Sequence, residues 1–435
     1  MSEGNVILNI YTNPDFLPAN SLDQEIQGLL EVVPPSTSSS PTTGADIVLL
    51  LDSSGSMNEG YYNTGLSKRQ AVVEALRSML PELRDQDTLS IISFNTMATL
   101  LLDHQRKSAS TQIEQSIQDY FHQNGNTNFE AAMQAAWSVC QKKVNPIKKI
   151  IFLTDGHPYG GNTNTALSTA QTIARDGLAT LDAMGIGENF NFDLMRLFSA
   201  PSGGITENLV NTSDARNVFR SILRSTQQTI AVNIQLQILF GTHVRDIEIY
   251  QTAPEKRSMN KNSSTSPAGT FYQMFAGDLS AGATKQFAIR CRTDLPDASF
   301  VKLADLALTY RLPSEADTIR TEISWNLSLS SDNSQIRYDS FVIDRFREIE
   351  LLTGLEQALK LYGSNHIPEA LKKLDSLLGI ARSLGDIDQE RILQTAYDKI
   401  VRNENLTQAD LNRMLHRSSR ASRVRTQAKT DKKKL

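Results

Sequence analysis

Residues 47–51, Ile-Val-Leu-Leu-Leu, form an unbroken apolar run that stops at Asp52, and residues 150–153, Ile-Ile-Phe-Leu, form a second that stops at Thr154 and Asp155. A strand with one wet face alternates apolar and polar side chains. An unbroken run belongs to a strand buried on both faces, as in a parallel sheet covered by helices on either side. The intervening chain supports that reading. Residues 68–80 are amphipathic at helical spacing, with Ala71, Val72, Ala75, Leu76 and Met79 on one face. Residues 88–94 and 98–102 read as strands, 111–121 and 129–143 as helices. Helices over 165–176, 193–200 and 213–229 then alternate with strands over 149–154, 179–185 and 205–209. This order predicts an α/β, doubly wound, mostly parallel sheet over 46–228, with an antiparallel edge at 88–102.

From about residue 230 the period changes. Residues 230–238, Ile-Ala-Val-Asn-Ile-Gln-Leu-Gln-Ile, alternate apolar and polar, as do parts of 244–250, 271–275, 285–291, 303–312 and 319–329. Half-buried antiparallel strands of this kind predict a β-sandwich over 230–335. Residues 254–269, rich in Ser, Asn, Lys and Pro, read as a mobile loop within it. Two more strand patterns, around 6–11 and 25–33, precede a Ser/Thr/Pro joint at 36–44 that has nothing to pack. They have no place in a sheet that starts at Ile47, so 1–35 is expected to return to the sandwich and the α/β domain to be inserted in it. From residue 338 the chain reads as helical to 416. Val342, Phe346, Ile349, Leu352, Leu355, Ala358 and Leu359 mark a long first helix, followed by helices over 367–384, 387–401 and 408–415. Residues 363–386 resemble one helical hairpin of the tetratricopeptide kind, too little for a repeat array.

The residues that end the buried strands carry the chemistry. Asp52, Ser54 and Ser56 recur at every second position, beyond the carboxyl end of a strand, where open α/β sheets bind ligands. Gly125-Asn-Thr-Asn precedes a helix, and Asp155-Gly156 follows the second buried strand. The donors are oxygens only, suited to Mg²⁺ or Mn²⁺ and poor for zinc. By itself Asp-Ser-Ser-Gly-Ser-Met also reads as a polar turn; three segments in this order weigh against that. The order D-x-S-x-S, G-x-T and strand-D-G resembles the von Willebrand factor A domain with its metal-ion-dependent adhesion site, of a bacterial intracellular type. The resemblance implies that Asp52, Ser54, Ser56, Thr127 and Asp155 hold the metal. The hydroxyls would touch it directly or nearly so, and the aspartates often through water. It also implies one coordination position left for a Glu or Asp of a partner protein. Ser53, Asn58, Asn128, Gly156 and His157 are then expected at the rim, with 58–65 setting partner choice. Several bacterial proteins with this domain are similar in inserting it into a sandwich. Intracellular members work in multiprotein assemblies with AAA-type ATPases, kinases or chelatases, which implies an adaptor or regulator.

Composition limits the alternatives. Lys and Arg number 44 against 48 Asp and Glu, so no bulk polyelectrolyte role follows. Cys140 and Cys291 fit no metal or redox motif and read as buried thiols. The first residues lack the basic start and apolar stretch of a signal peptide, and no run approaches a membrane span, which makes a cytoplasmic location the expectation. Residues 413–435 hold nine Lys or Arg against one acid, Asp431. From 417 this reads as a disordered tail without the aromatic residues that stack on bases, so nucleic acid is not the expected partner. A Mg²⁺-dependent hydrolase is the rival function. It would place an acid two residues after Asp52, where Ser54 stands, and no Gly-rich phosphate loop is present. In a third reading the C-terminal helices and basic tail carry the main interaction.

Overall fold

The computed structural model describes residues 5–35, 43–61, 65–188, 190–210, 212–259, 263–330, 332, 334 and 336–421, with only the backbone of 212–214. Three strands come first: β1 (Ile7–Asn13), β2 (Phe16–Pro18) and β3 (Gln24–Val33). An alternating segment follows: β4 (Ala45–Asp52), α1 (Lys68–Met79), β5 (Thr88–Phe94), β6 (Ala98–Arg106), α2 (Ser110–Phe121), α3 (Phe129–Cys140), β7 (Ile147–Thr154), α4 (Thr163–Arg175), β8 (Thr180–Ile186), α5 (Phe192–Ser199), β9 (Thr206–Leu209) and α6 (Thr212–Gln227). Eight strands come next: β10 (Thr229–Phe240), β11 (Val244–Ala253), β12 (Arg257–Ser258), β13 (Ser263–Ser266), β14 (Gly269–Ser280), β15 (Lys285–Thr293), β16 (Phe300–Arg311) and β17 (Thr318–Ser330). Four helices close the described chain: α7 (Ser340–Gly363), α8 (Ile367–Leu384), α9 (Ile387–Val401) and α10 (Gln408–Ser419).

The alternating segment folds as predicted into a doubly wound sheet of strand order β6-β5-β4-β7-β8-β9. β4 pairs in parallel with β5 and β7, while β6 runs antiparallel to β5 at the edge. Every residue of β4 is buried, and the two sides explain why its apolar run is unbroken. Ile47, Leu49 and Leu51 pack with residues of α1, α2 and α6, including Leu76, Ile113 and Phe219. Val48 and Leu50 pack against α3, α4 and α5 through Phe129, Ile173 and Phe198. Burial of this kind is the main favourable term in folding, at roughly 25 cal/mol per Å² of apolar surface.

The remaining strands form an antiparallel sandwich of two sheets, β1-β3-β15-β11-β12 and β13-β14-β10-β16-β17-β2. The N-terminal strands are part of it, and number three rather than two. β3 fills the place between β1 and β15, with Ile26 opposite Cys291, and β2 pairs with β17 in the other sheet, the one parallel pairing among the described strands of the sandwich. Trp325 of β17 crosses the core so closely that a Cβ on Gly28 of β3 would lie 2.6 Å from its ring. The α/β domain is thus an insertion between β3 and β10, and only Gln228 separates α6 from β10.

α7 lays Val342, Phe346 and Ile349 on Leu29 and Ala288 of the five-stranded sheet. Its second half joins α8, α9 and α10 in a separate core built on Leu355, Leu377, Leu393 and Met414. α10 also reaches the α/β domain. Asn412 donates to the carbonyls of Glu188 (3.2 Å) and Phe190 (3.0 Å), and Leu415 enters the core on the α3–α5 side. Two expectations are corrected here. Residues 254–269 are not simply a loop: they include β12 and β13, and Glu255, Lys256 and Arg257 are buried. The stretch from 417 is not loose at its start either. α10 continues through Ser419, Ser418 and Ser419 are buried, Arg417 pairs with Asp386 at 2.5 Å, and Arg420 pairs with Glu207 of β9. The reason is charge burial: the Glu207 side chain is only 12% exposed and needs partners for its charge. Residues 422–435 lie outside the described chain.

Candidate functional site

β4 stops hydrogen bonding as a strand at Asp52, and the chain then turns across the carboxyl end of the sheet. Ser53 anchors that turn. Its amide donates to the Phe94 carbonyl at 2.8 Å, and its hydroxyl donates to the same carbonyl at 3.0 Å while accepting from Ser93 and Asn95. Ser53 is therefore a buried brace to β5, not the rim residue expected of it. Beyond it a 3-10 turn, Gly55–Asn58, brings Ser54 and Ser56 side by side with their hydroxyls 3.1 Å apart.

The two aspartates hold this turn from the adjacent strand ends. Asp52 Oδ1 accepts from the Ser54 amide at 2.8 Å, and Oδ2 accepts from the Thr154 hydroxyl at 2.5 Å. Ser56 donates to Asp155 Oδ1 at 2.8 Å. Asp52 is fully buried, and burial, with the neighbouring Asp155 charge, pushes its carboxyl up to about 6. Two carboxylates this close with so little water lower the free energy of bound positive charge.

Four of the five residues, Asp52, Ser54, Ser56 and Asp155, are joined by these hydrogen bonds either directly or through one another. The fifth, Thr127, lies in the loop beside them. The Gly125 carbonyl accepts from the Gly55 amide at 3.1 Å, and the Thr127 carbonyl accepts from the Tyr159 amide at 2.7 Å. The loop is thus bracketed between the D-x-S-x-S turn and the segment after Asp155. A Cβ at Gly125 would come 3.0 Å from the Asn95 side chain, so a glycine there lets the loop approach. Asn128 caps α3, accepting from the Ala131 amide and donating to the Thr96 carbonyl. Asn58 and His157 are exposed as expected of a rim.

Three features went unnoticed in the sequence. Arg69, fully buried, donates to the carbonyls of Ser53 (2.8 Å), Ser54 (3.1 Å), Phe121 (2.8 Å) and Gln123 (2.5 Å). It cross-braces the turn after β4 to the chain that leads into Gly125. Lys68 extends its ammonium to Asp155 Oδ2 at 2.7 Å and to Glu59 Oε2 at 2.9 Å. Tyr159 and Met97, 70% and 71% exposed, flank the Thr127 loop with apolar surface. One signal was available: α1 opens on Lys-Arg with no acid in its first turn, against the preference of a helix N-terminus for negative charge.

The donor set suits a hard divalent cation: carboxylates and hydroxyls, with no thiol or imidazole. An ammonium already rests on one of the carboxylates, so the arrangement attracts positive charge. Among the described residues no group of three or more His, Cys, Asp or Glu side chains is placed to hold a metal; the candidate set rests on two carboxylates and hydroxyls.

Residues 47–157 match the model of the von Willebrand factor type A domain. A curated protein of Synechocystis sp., described as uncharacterized, is 23% identical over 237 residues, 54% of this chain and 54% of its own length. Human inter-alpha-trypsin inhibitor heavy chain H6 is 26% identical over 214 residues, 46% of this chain and 16% of its own. The chain thus spans about half of the first relative and about a sixth of the second. Among solved structures, a von Willebrand factor type A protein from Catenulispora acidiphila superposes with a TM-score of 0.79 at 16% identity, over 97% of this chain and 98% of that one. That likeness establishes the fold over its whole length, sandwich and C-terminal helices included.

Proposed function

We propose that the von Willebrand factor type A domain of this chain is a divalent-metal-dependent module that captures an acidic residue of a partner protein. Domains of this family mediate protein–protein interactions. The observation that carries the metal dependence is the hydrogen-bonded set Asp52, Ser54, Ser56 and Asp155, with the Thr127 loop held against it. Mg²⁺ or Mn²⁺ supplies an electrophilic centre there when bound. The chain's own residues orient the oxygens around that centre, and Arg69 keeps their loops in register. Met97 and Tyr159 offer apolar contact beside the acidic residue being captured, so the partner segment carries a Glu or Asp next to apolar side chains. The role is that of an adaptor or regulator in an intracellular multiprotein assembly, of the kind that includes AAA-type ATPases or kinases.

Hydrolysis is the weaker reading. Ser54 stands where a second acid would help a nucleophilic aspartate. Lys68, the cation nearest the site, is already engaged by two carboxylates rather than free for a phosphate.

Mn²⁺ titration by calorimetry tests the proposal. The protein binds one ion, and Asp52→Ala abolishes binding while the circular dichroism stays unchanged. A partner retained in Mg²⁺ is released by EDTA and is not retained by Asp52→Ala. Undiminished Mn²⁺ binding in that variant overturns the metal site.

A further inference from the structure

Lys68 is an unusual residue to find at the start of a helix. It is the first residue of α1, behind a capping box in which Ser67 and Gln70 exchange hydrogen bonds. The free amides there already carry partial positive charge, so a cation in the first turn is disfavoured by the helix itself. It is also buried, at 6% exposure, which adds the desolvation of an ammonium. Helix formation and packing therefore do not account for it. What it gains is electrostatic: Asp155 Oδ2 at 2.7 Å, Glu59 Oε2 at 2.9 Å and the Ser56 carbonyl at 3.4 Å.

Its position is set from three sides. The Lys68 amide donates to the Glu59 carbonyl at 3.0 Å, and Gly60 bridges to Ser67, closing the neck of the 60–67 loop. On the far side the aliphatic stem runs past Gly187, where a Cβ would lie 3.0 Å from Lys68 Cε. Gly187 has φ +92° and follows β8. The ammonium is thereby aimed at the outer oxygen of Asp155, while the inner oxygen takes the Ser56 hydroxyl.

We infer that Lys68 is a built-in counter-cation of the candidate metal site, one that neutralises Asp155 and lowers the site's intrinsic affinity for a divalent ion. The inference rests on the metal-binding reading above. The charge balance gives its sense. Asp52 and Asp155 together offer two negative charges, enough to balance a divalent ion by themselves. With Lys68 in place one positive charge inside the buried site remains uncompensated when the ion binds, because the third carboxylate, Glu59, is 63% exposed and its charge is screened by water. An incoming Glu or Asp of the partner cancels it. Metal uptake and acid capture therefore reinforce one another, and the site holds its ion weakly until an acidic group arrives. Glu59, exposed and within reach of the same ammonium, gives Lys68 a second resting place if Asp155 is drawn to the metal.

The test is Mn²⁺ titration of the full chain, followed by calorimetry, for the native protein, Lys68→Met, Lys68→Gln and Lys68→Arg. Removing the charge tightens Mn²⁺ binding by roughly tenfold or more, given the separation of a few ångströms in a largely buried site. Lys68→Gln keeps an N–H donor, on a side chain one bond shorter, without the charge and serves if Lys68→Met does not fold. Lys68→Arg keeps the charge and stays near the native affinity. Adding millimolar glutarate, as a stand-in for the acidic partner, tightens Mn²⁺ binding more in the native chain than in the neutral variants. If all proteins bind Mn²⁺ and the neutral variants bind no tighter than native, Lys68 is a positioning residue for Asp155; the inference is overturned and the metal site stands. An equal gain from glutarate in native and neutral variants overturns the coupling. If neither native protein nor variants bind Mn²⁺, the metal site itself falls.

Discussion

The guanidinium of Arg69 lies 5.6 Å from the centroid of the Tyr120 ring, and the hydroxyl of that ring donates to the backbone carbonyl of Asp52 at 2.8 Å. The candidate site is therefore built on a second layer. Arg69 ties together four carbonyls from two loops, and Tyr120 holds both the arginine and the residue that ends β4.

Replacing Arg69 by Met leaves those carbonyls without their donor in a buried setting. Each unsatisfied buried acceptor costs about 1–3 kcal/mol, tempered here by relaxation of the loops. The expected loss of stability is about 3 kcal/mol, read from urea denaturation. Mn²⁺ affinity falls with it, because the turn after β4 and the chain before Gly125 lose their common tie. A variant of native stability and native Mn²⁺ affinity would show that the brace is not needed.

The described chain ends at residue 421, in a segment docked on the α/β domain. Arg420 and the His416 imidazole are the partners of Glu207, whose side chain is mostly removed from water. They hold the Glu207 carboxyl below the usual carboxylate range, against the opposing effect of burial. Truncation after residue 421 leaves the melting temperature unchanged. Truncation after 415 lowers stability by about 2–4 kcal/mol, because it also removes Arg417 from Asp386 and Ser418 from Gln389. Thermal denaturation of the two truncated chains checks both outcomes.

Lys285, at the start of β15, gives a pH signature. It is fully buried, and burial, reinforced by the Arg257 charge, pulls its ammonium down from 10.5 to about 7. Between pH 7 and 10.5 the unfolded chain holds a proton that the native chain has released, so this group makes stability rise with pH over that window. Below pH 7 its burden is present in full. Lys285→Met is expected to be more stable than native by about 1–4 kcal/mol at pH 7, with the gap closing by pH 10. Urea denaturation at both pH values checks it; a gap independent of pH would remove Lys285 as the cause.

Gly28 measures how tightly the N-terminal strands belong to the sandwich. A methyl group there meets Trp325 Cζ2 at 2.6 Å, and Trp325 is pinned by its indole N–H donating to Thr12 at 2.9 Å. Gly28→Ala is expected to destabilise the protein by about 1–3 kcal/mol through overpacking. Near-UV circular dichroism should report the displaced indole. An unchanged melting curve would mean that β3 can move away from β17.

The doubly wound sheet and the change to a sandwich were legible along the chain. The runs 47–51 and 150–153 are unbroken because helices cover β4 and β7 on both faces, and the alternation after 230 reflects strands with one covered face. Each pattern is set by the burial of the element that carries it, so it shows locally. The same holds for the helices: the boundaries of α8 and α9 follow from Gly363-Ser-Asn and Leu384-Gly-Asp, which interrupt the apolar periodicity. Asp52, Ser54, Ser56, Thr127 and Asp155 were singled out by the resemblance carried in D-x-S-x-S, G-x-T and strand-D-G, and the fold brings these three segments together at one end of the sheet.

Tertiary structure alone decided which groups meet. No spacing marks Lys68 as the partner of Asp155, 87 residues away, or Arg420 as the partner of Glu207, 213 residues away. Buried ions are matched by whatever the fold brings within a few ångströms, and both partners are charged residues of the commonest kinds. The same is true of residues 254–258 and 417–421, whose polar composition reads as solvated chain. Glu255, Lys256, Arg257, Ser418 and Ser419 within them are buried because two domains and a helical region converge there, where Lys256 donates its amide to the Ser419 carbonyl at 2.6 Å. Composition reports the average tendency of a segment to meet water; burial depends on what lies opposite it, and that is a property of the assembled fold.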